Sequence, residues 1–375
     1  MRLGLIGFGA WGQQHAQAIA NLPGLELAAI ACATSHSARA AAAAYPSAHV
    51  TKNWREVLGH AGIDAVDVVT PNHLHAEIAI AALQAGKDVL LEKPMATTAD
   101  DCDALLAAER ATGRLVSVGH ELRQSAQWGR IKTLIDDDAI GDPLFLNISL
   151  FRNAYRPGED RWRYDSARVG SWLLEEAVHY FDLALWYFAR HGDPLSIRAC
   201  GNQRPGRGSG MSDNVSILLR YASGAYVILN HSVAGFEHHL VLELAGADGA
   251  LRTHWSGTMD RDARADFDLR VQMRGFPFER GVRECERLTI AKSGEVYELT
   301  EQIRLTAEAF AERRALVPAI EARKRVLLCL AAERSLLENR EIAFFWKAHH
   351  GERRYGPPTH GIHVAQGIGG GNLAE

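Results

Sequence analysis

Leu3-Gly4-Leu5-Ile6-Gly7-Phe8-Gly9-Ala10-Trp11-Gly12 is the stretch on which the fold turns. An apolar run enters a G-x-G-x-x-G spacing and leaves it as a helical segment, and in that setting each glycine has its own task. Gly7 permits a tight turn, Gly9 lets the backbone approach a pyrophosphate, and Gly12 lets the helix pack closely on the strand. The phosphates then sit on the helix N-terminus, where unpaired N–H groups and the helix dipole favour an anion. Phe8, Ala10 and Trp11 complete the loop and count with the glycines as candidate cofactor-binding positions.

Outward from this loop, apolar runs at Arg2–Ile6 and at residues 25–31, 65–69, 88–91 and 115–118 alternate with helical segments. That alternation predicts βαβ units and a doubly wound parallel sheet, a Rossmann domain over residues 1–120. The alanine run at 40–44 falls where a crossover helix is due, and alanine is the best helix former. Thr97 or Thr98 ahead of Asp100 and Asp101 predicts a helix start, and Gly113 its end. From about residue 140 the pattern changes. One long helix is expected over 171–190, then strands around Ala222-Ser223-Gly224 and Ala247-Asp248-Gly249, then helices over 301–316 and 321–339. These make a second, α+β domain over 121–346 with a mostly antiparallel sheet. Residues 347–375, rich in glycine and histidine, read as a loosely ordered tail.

The composition agrees with two ordinary globular cores. At 375 residues the chain exceeds the ~100 to 200 residues of one domain, and 47% apolar with 23% charged residues is neither disordered nor fibrous. A net charge of -4 offers no basic field for nucleic acid, so a small-molecule partner is expected. No apolar run reaches the ~18 residues that span a bilayer, and residues 1–12 lack a signal peptide's pattern, so no membrane and a cytoplasmic location are expected. The five cysteines are an odd, scattered set without a C-x-x-C pair, read as reduced thiols packed as small hydrophobes.

After the second strand comes Cys32-Ala33-Thr34-Ser35-His36, where a dehydrogenase preferring NAD usually has a carboxylate for the ribose 2′-hydroxyl. Thr34, Ser35 and His36 tolerate a 2′-phosphate, so NAD(P) is the expected cofactor and NADP is admitted. A polar loop with dual specificity fits equally, and no arginine partner is evident. Thr70-Pro71-Asn72-His73-Leu74-His75 follows the next strand, at the sheet edge where ligands collect. Thr70, Pro71, Asn72 and His75 are candidates for the nicotinamide side; the other reading is a turn fixed by Pro71.

Glu92-Lys93-Pro94 leaves an apolar strand at the same edge, so Lys93 emerges beside the expected cofactor with Glu92 behind it. A partly desolvated lysine hydrogen-bonds a substrate oxygen or releases its proton near neutral pH, whereas a surface turn is the plain alternative. Further on, Glu175, His179 and Asp182 recur at i, i+4 and i+7 within an apolar segment. On one helix they share a stripe. Hydride can leave a carbinol carbon only if a base takes the hydroxyl proton, and a histidine suits that task, with Glu175 orienting it. A buried, satisfied histidine is the alternative. No third ligand accompanies Glu175 and His179, so no metal is expected. Arg123, Trp162 and Arg163 lie in segments that either face a sugar or anchor loops.

With the glycine loop, T-P-N-x-x-H, E-K-P and a helix ending in H-x-x-D in that order, the chain resembles the Gfo/Idh/MocA family of sugar and cyclitol dehydrogenases from Arg2 to about Ile342. The resemblance implies that Lys93 and His179 are the catalytic lysine and histidine. It also implies an open-faced second sheet used for assembly as a homodimer or homotetramer. Glu175 and Ala177 stand where the family commonly has Asp and Gly, which changes the reach of that carboxylate. The expected activity is reversible oxidation of a secondary hydroxyl on a sugar, sugar derivative or inositol. Two alternatives are glycoside cleavage by transient oxidation with recycled bound NAD, and a non-catalytic sensor of dinucleotide or sugar.

Overall fold

A computed structural model describes residues 1–205, 210–259, 261–262, 264–273 and 285–344. Six strands form the first sheet: β1 (Arg2–Ile6), β2 (Glu26–Ala31), β3 (His49–Thr51), β4 (Ala65–Val68), β5 (Asp88–Glu92) and β6 (Val116–Gly119). All neighbouring pairs are parallel, in the order β3-β2-β1-β4-β5-β6. Helices α1 (Ala10–Asn21), α2 (Ser35–Ala44), α3 (Trp54–Gly59), α4 (His75–Gln84) and α5 (Ala99–Thr112) connect the strands. With helices on both faces, β4 and β5 are buried along their whole length, which is why apolar residues dominate both and the Asp67 of β4 and Glu92 of β5 are buried charges. The strand order reverses between β1 and β4, and that switch point opens a crevice at the carboxyl ends of the strands.

Local chemistry sets the helix ends. Thr34 caps α2 reciprocally with Ser37, and the alanine run is helical. Thr98 caps α5 by accepting from the Asp101 N–H at 3.1 Å, and Gly113 ends it in the left-handed region.

The second half begins with α6 (Trp128–Asp136) and β7 (Pro143–Arg152), followed by the short α7 (Ser166–Val169). A π-helical turn (Leu173–Ala177) then runs into α8 (Val178–Tyr187). β8 (Ser196–Asn202), β9 (Asn214–Arg220), β10 (Tyr226–Ser232), β11 (His238–Gly246), β12 (Ala250–Gly257), β13 (Asp266–Gln272), β14 (Glu286–Leu288) and β15 (Ile342–Ala343) complete a nine-stranded sheet with β7. Among the described residues, the β7–β10 pair is the only parallel one in this sheet. Along β10 buried and half-exposed residues alternate, leaving one face open to solvent.

Three expectations need correction. Residues 171–190 are not one α-helix, because the π-helical turn interrupts it. The helices read at 301–316 and 321–339 are α9 (Glu295–Ala311) and α10 (Ala319–Glu338); α9 starts about a turn and a half earlier, at Glu295, with Gly294 as its cap residue. Its polar Glu298, Gln302 and Thr306 are buried against α1, β5 and the 3-10 turn Glu121–Gln124, so the helix covers the first half rather than the second sheet. Finally, Cys32, Cys102 and Cys329 are buried but Cys200 and Cys285 are exposed. Cys200 lies where β8 frays into exposed residues, and Cys285 just precedes an edge strand. The tail at 347–375 lies outside the described residues. Among them, no helix is long and apolar enough to cross a membrane.

Candidate active site

The glycine loop has the shape its sequence requires. Gly7 sits at φ +107°, where a Cβ would lie 2.1 Å from Val69 O, and a Cβ on Gly12 would lie 2.1 Å from Gly7 O. Gly9 is the opposite case: a Cβ there meets nothing within 4 Å, and no side chain caps α1. Its first N–H groups are therefore presented to open space, which suits a pyrophosphate. Gly9 and Ala10 are exposed, whereas Phe8 is buried against Tyr45 and belongs to the core. The Thr70 hydroxyl is buried without a partner at the crevice. These residues fit a dinucleotide.

Thr34, Ser35 and His36 form the start of α2, with Ser35 and His36 exposed. Lys52 donates to Ser35 Oγ at 3.4 Å, which brings a cation to the segment that lacks a carboxylate. Sequence reading missed Lys52 because β3, which ends just before it, has only three residues and no apolar run.

Pro71 opens a 3-10 turn over Asn72–Leu74. His75 is buried, with ring nitrogens 2.8 Å from Thr70 O and 2.6 Å from Pro94 O, so it braces the two turns against each other. Asn72 reaches into the other half: its Nδ2 donates to Val169 O and to Glu175 Oε2, both at 3.0 Å. Arg163 Nε donates to the other oxygen of Glu175 at 2.7 Å. Glu175 thus clasps the loop ahead of α7 to the turn after β4.

This corrects the expectation that Glu175 orients His179. The π-helical turn rotates Glu175 off the stripe on which i, i+4 spacing would place it, because each of its turns holds an extra residue. The carboxyl beside the imidazole is that of Glu121, whose Oε1 lies 3.7 Å from His179 Nε2. Asp182 departs too. It is buried and receives Arg123 Nε at 2.8 Å, Arg123 Nη2 at 2.7 Å and Arg325 Nε at 2.8 Å, and Glu321 joins the same cluster. Arg123 and Asp182 are brought to each other, in a structural ion cluster. Trp162 packs beside Tyr155, Val169 and Trp172, with the Arg163 guanidinium 4.5 Å from its ring centroid.

Lys93, joined to Pro94 by a cis peptide, donates through Nζ to the main-chain oxygen of Glu175 at 2.7 Å. Burial opposes its charge, but Glu175, Glu176, Glu92 and Glu121 outweigh that penalty and raise its pKa. It is therefore held as an ammonium and does not release its proton near neutral pH, contrary to one sequence expectation. His179 behaves oppositely: burial and then the Lys93 charge push it down to about 3. Its Nδ1 is buried without a partner. Burial, with Glu92 adding to it, raises Glu121 well above the carboxylate range. Glu176 is held well below that range: burial is outweighed by Arg152, which donates to it at 2.9 Å, and Tyr155 donates at 2.8 Å. The arrangement joins a fixed cation to a neutral imidazole at the carboxyl edge of a nucleotide-binding sheet.

A family model described as an oxidoreductase family with an NAD-binding Rossmann fold matches residues 1–120, and one described as the GFO/IDH/MocA C-terminal domain matches residues 128–252. The chain belongs to the Gfo/Idh/MocA oxidoreductase family. Among its Gfo/Idh/MocA relatives, the levoglucosan dehydrogenase of Pseudarthrobacter phenanthrenivorans is 29% identical over 67% of this chain and 73% of that one. Inositol 2-dehydrogenase 1 of Saccharopolyspora erythraea is 34% identical over 67% and 73% respectively. A solved levoglucosan dehydrogenase in complex with NADH and levoglucosan superposes with a TM-score of 0.79 at 23% identity, covering 92% of this chain and 99% of that one, a likeness of fold.

Proposed function

We propose that this chain is an NAD(P)-dependent dehydrogenase that reversibly oxidises a secondary hydroxyl of a sugar, sugar derivative or inositol. The observation that carries the reading is the charge pattern at one sheet edge, an ammonium at Lys93 beside a neutral imidazole at His179. Bound nicotinamide supplies the hydride acceptor. Lys93 donates a hydrogen bond to the reacting oxygen and stabilises negative charge as it develops there. His179 Nε2 takes the hydroxyl proton, and being neutral beforehand it is in the state a base requires. Glu175 holds Lys93 by its main chain and Arg163 by its side chain, tying that loop to the lysine.

The polyhydroxylated substrate class is supported by the names of the relatives and by the polar groups of this edge. NADP is accepted beside NAD: β2 ends without a carboxylate, and Lys52 with Ser35 offers a charge and a hydroxyl to a 2′-phosphate. The open face of the second sheet is a surface for a homodimer or homotetramer.

The test is a panel of sugars, inositols and their glycosides with NAD or NADP, following reduced-cofactor absorbance and product mass together. Steady formation of reduced cofactor with an oxidised product supports the reading. Product without net reduction would replace it with oxidative glycoside cleavage, and no turnover at all would replace it with a sensor.

A further inference from the structure

Below the glycine loop lies a charged triad that the proposed chemistry does not use. His15 on α1 is fully buried. Its Nδ1 lies 2.7 Å from Asp67 Oδ2 on β4 and its Nε2 lies 3.3 Å from Glu92 Oε1 at the end of β5, with all three side chains almost wholly out of water. His15 Nδ1 hydrogen-bonds Asp67, whereas Nε2 faces Glu92 at ion-pair distance without forming a hydrogen bond, so the imidazolium is drawn to a carboxylate on each side. Burial opposes that charge, but Asp67 and Glu92 outweigh it and push His15 up to about 10. For Glu92 burial is outweighed in turn by His15 and then Lys93, down to about 2.

The chain positions of these groups are the informative part. Trp11 lies inside the glycine loop, its ring edge-on to His15 at 5.5 Å between centroids. Glu92 immediately precedes Lys93. The carboxylate of Glu92 therefore faces the His15 imidazole, against whose ring the Trp11 of the glycine loop packs edge-on, and its backbone continues into the lysine. A buried ion pair retained in a sheet interior is weak evidence for stability, since apolar residues of equal volume often serve as well; its value is in fixing geometry.

We infer that His15 is a positioning residue which, through Glu92, locks the nucleotide-binding loop to the strand end carrying Lys93, so that cofactor and lysine are presented as one rigid unit. The role assigned to Lys93 rests on the dehydrogenase reading, but the lock itself is read out by nucleotide binding, which stands even if no alcohol is turned over.

The experiment is a double-mutant cycle on the full-length protein with His15→Gln and Glu92→Gln, reading the Kd for NAD and the tryptophan emission of the free protein, with Trp11→Phe identifying the Trp11 component. Each single variant should weaken NAD binding by about tenfold and shift the Trp11 emission, a size typical of residues that orient others at a site. The double variant should be no weaker than the worse single one, because both break the same connection. Where turnover is available, kcat should fall with the alcohol KM unchanged. Asp67→Asn is the variant that keeps the fold if His15→Gln does not: Asp67 touches His15 and no nucleotide-binding group, and it should shift Kd and emission in the same direction as Glu92→Gln. Additive losses in the cycle, or wild-type Kd and emission in Asp67→Asn, would overturn the inference.

Discussion

Lys93 Nζ donates to the main-chain oxygen of Glu175 at 2.7 Å, so the lysine at the edge of one sheet is aimed by the backbone of the π-helical turn in the other half. A backbone acceptor cannot be removed by substituting Glu175, and the lysine keeps its direction through side-chain change there. Lys93→Met removes the cation but preserves much of the stem. Turnover should fall by roughly 10² to 10³, the range for one positioned donor that stabilises developing negative charge, with NAD(P) affinity largely kept. Steady-state rates and a cofactor titration check both halves; near wild-type turnover would remove Lys93 from the mechanism.

His179 sets the pH dependence. A base must be neutral, and this imidazole charges only as pH falls through about 3, while Lys93 loses its charge only above the ordinary lysine value of 10.5. With cofactor saturating, kcat/KM for the alcohol should carry no histidine limb between about pH 5 and about pH 9. A tenfold decline per unit below about pH 6.5 would mean that an ordinary histidine is the base.

Two glycines of one loop should respond differently. Gly12→Ala drives a methyl against Gly7 O and should cost stability, visible in the urea midpoint. Gly9→Ala meets no protein atom and should leave that midpoint near wild type while weakening NAD binding, since its methyl enters the space meant for phosphate. Equal losses of stability in both would contradict this division.

Glu298 is buried in the first turn of α9, accepts from the Gly294 N–H at 3.3 Å, and is raised by burial from 4.5 to about 7. The unfolded chain releases this proton near 4.5 and the folded protein keeps it until about 7. Wild type therefore loses stability as pH rises across that window and no more beyond it. Glu298→Gln lacks the loss and should be more stable above pH 7 by up to about 3 kcal/mol, with the difference fading toward pH 4.5. Denaturant unfolding at several pH values measures it, and a pH-independent difference would refute the assignment.

Asp182→Ala would leave Arg123 and Arg325 buried beside each other without their shared carboxylate. Removing one partner of a buried pair costs about 3 to 5 kcal/mol. A loss of stability below about 1 kcal/mol, read from urea unfolding, would show that Glu321 compensates.

What could be read in the sequence follows the range of the interactions. The glycine loop, the Thr98 cap and the Gly113 stop depend on neighbours a few residues away, and all three stand in the structure. Lys93 and His179 emerge where strand and helix periodicity put them. The partners were not legible. Arg325 meets Asp182 across 143 residues of chain, and Asn72 meets Glu175 across 103. The stripe joining Glu175 to His179 assumed α-helical periodicity, and no residue in Leu173–Ala177 announces a π turn, since every one of them is tolerated in an α-helix. His15 lies three residues past Gly12, but only the buried Asp67 and Glu92 give it meaning.

The turn at Leu173–Ala177 also makes the site sensitive to length. It carries one residue more than an α-helix would use for the same span, so deleting a single residue there would restore the regular ladder and leave the flanking segments in place. A different side chain would then face Arg163, with the loop itself unaltered. Gain or loss of one residue, more than any substitution, is the change by which this fold would exchange the carboxylate that closes its site.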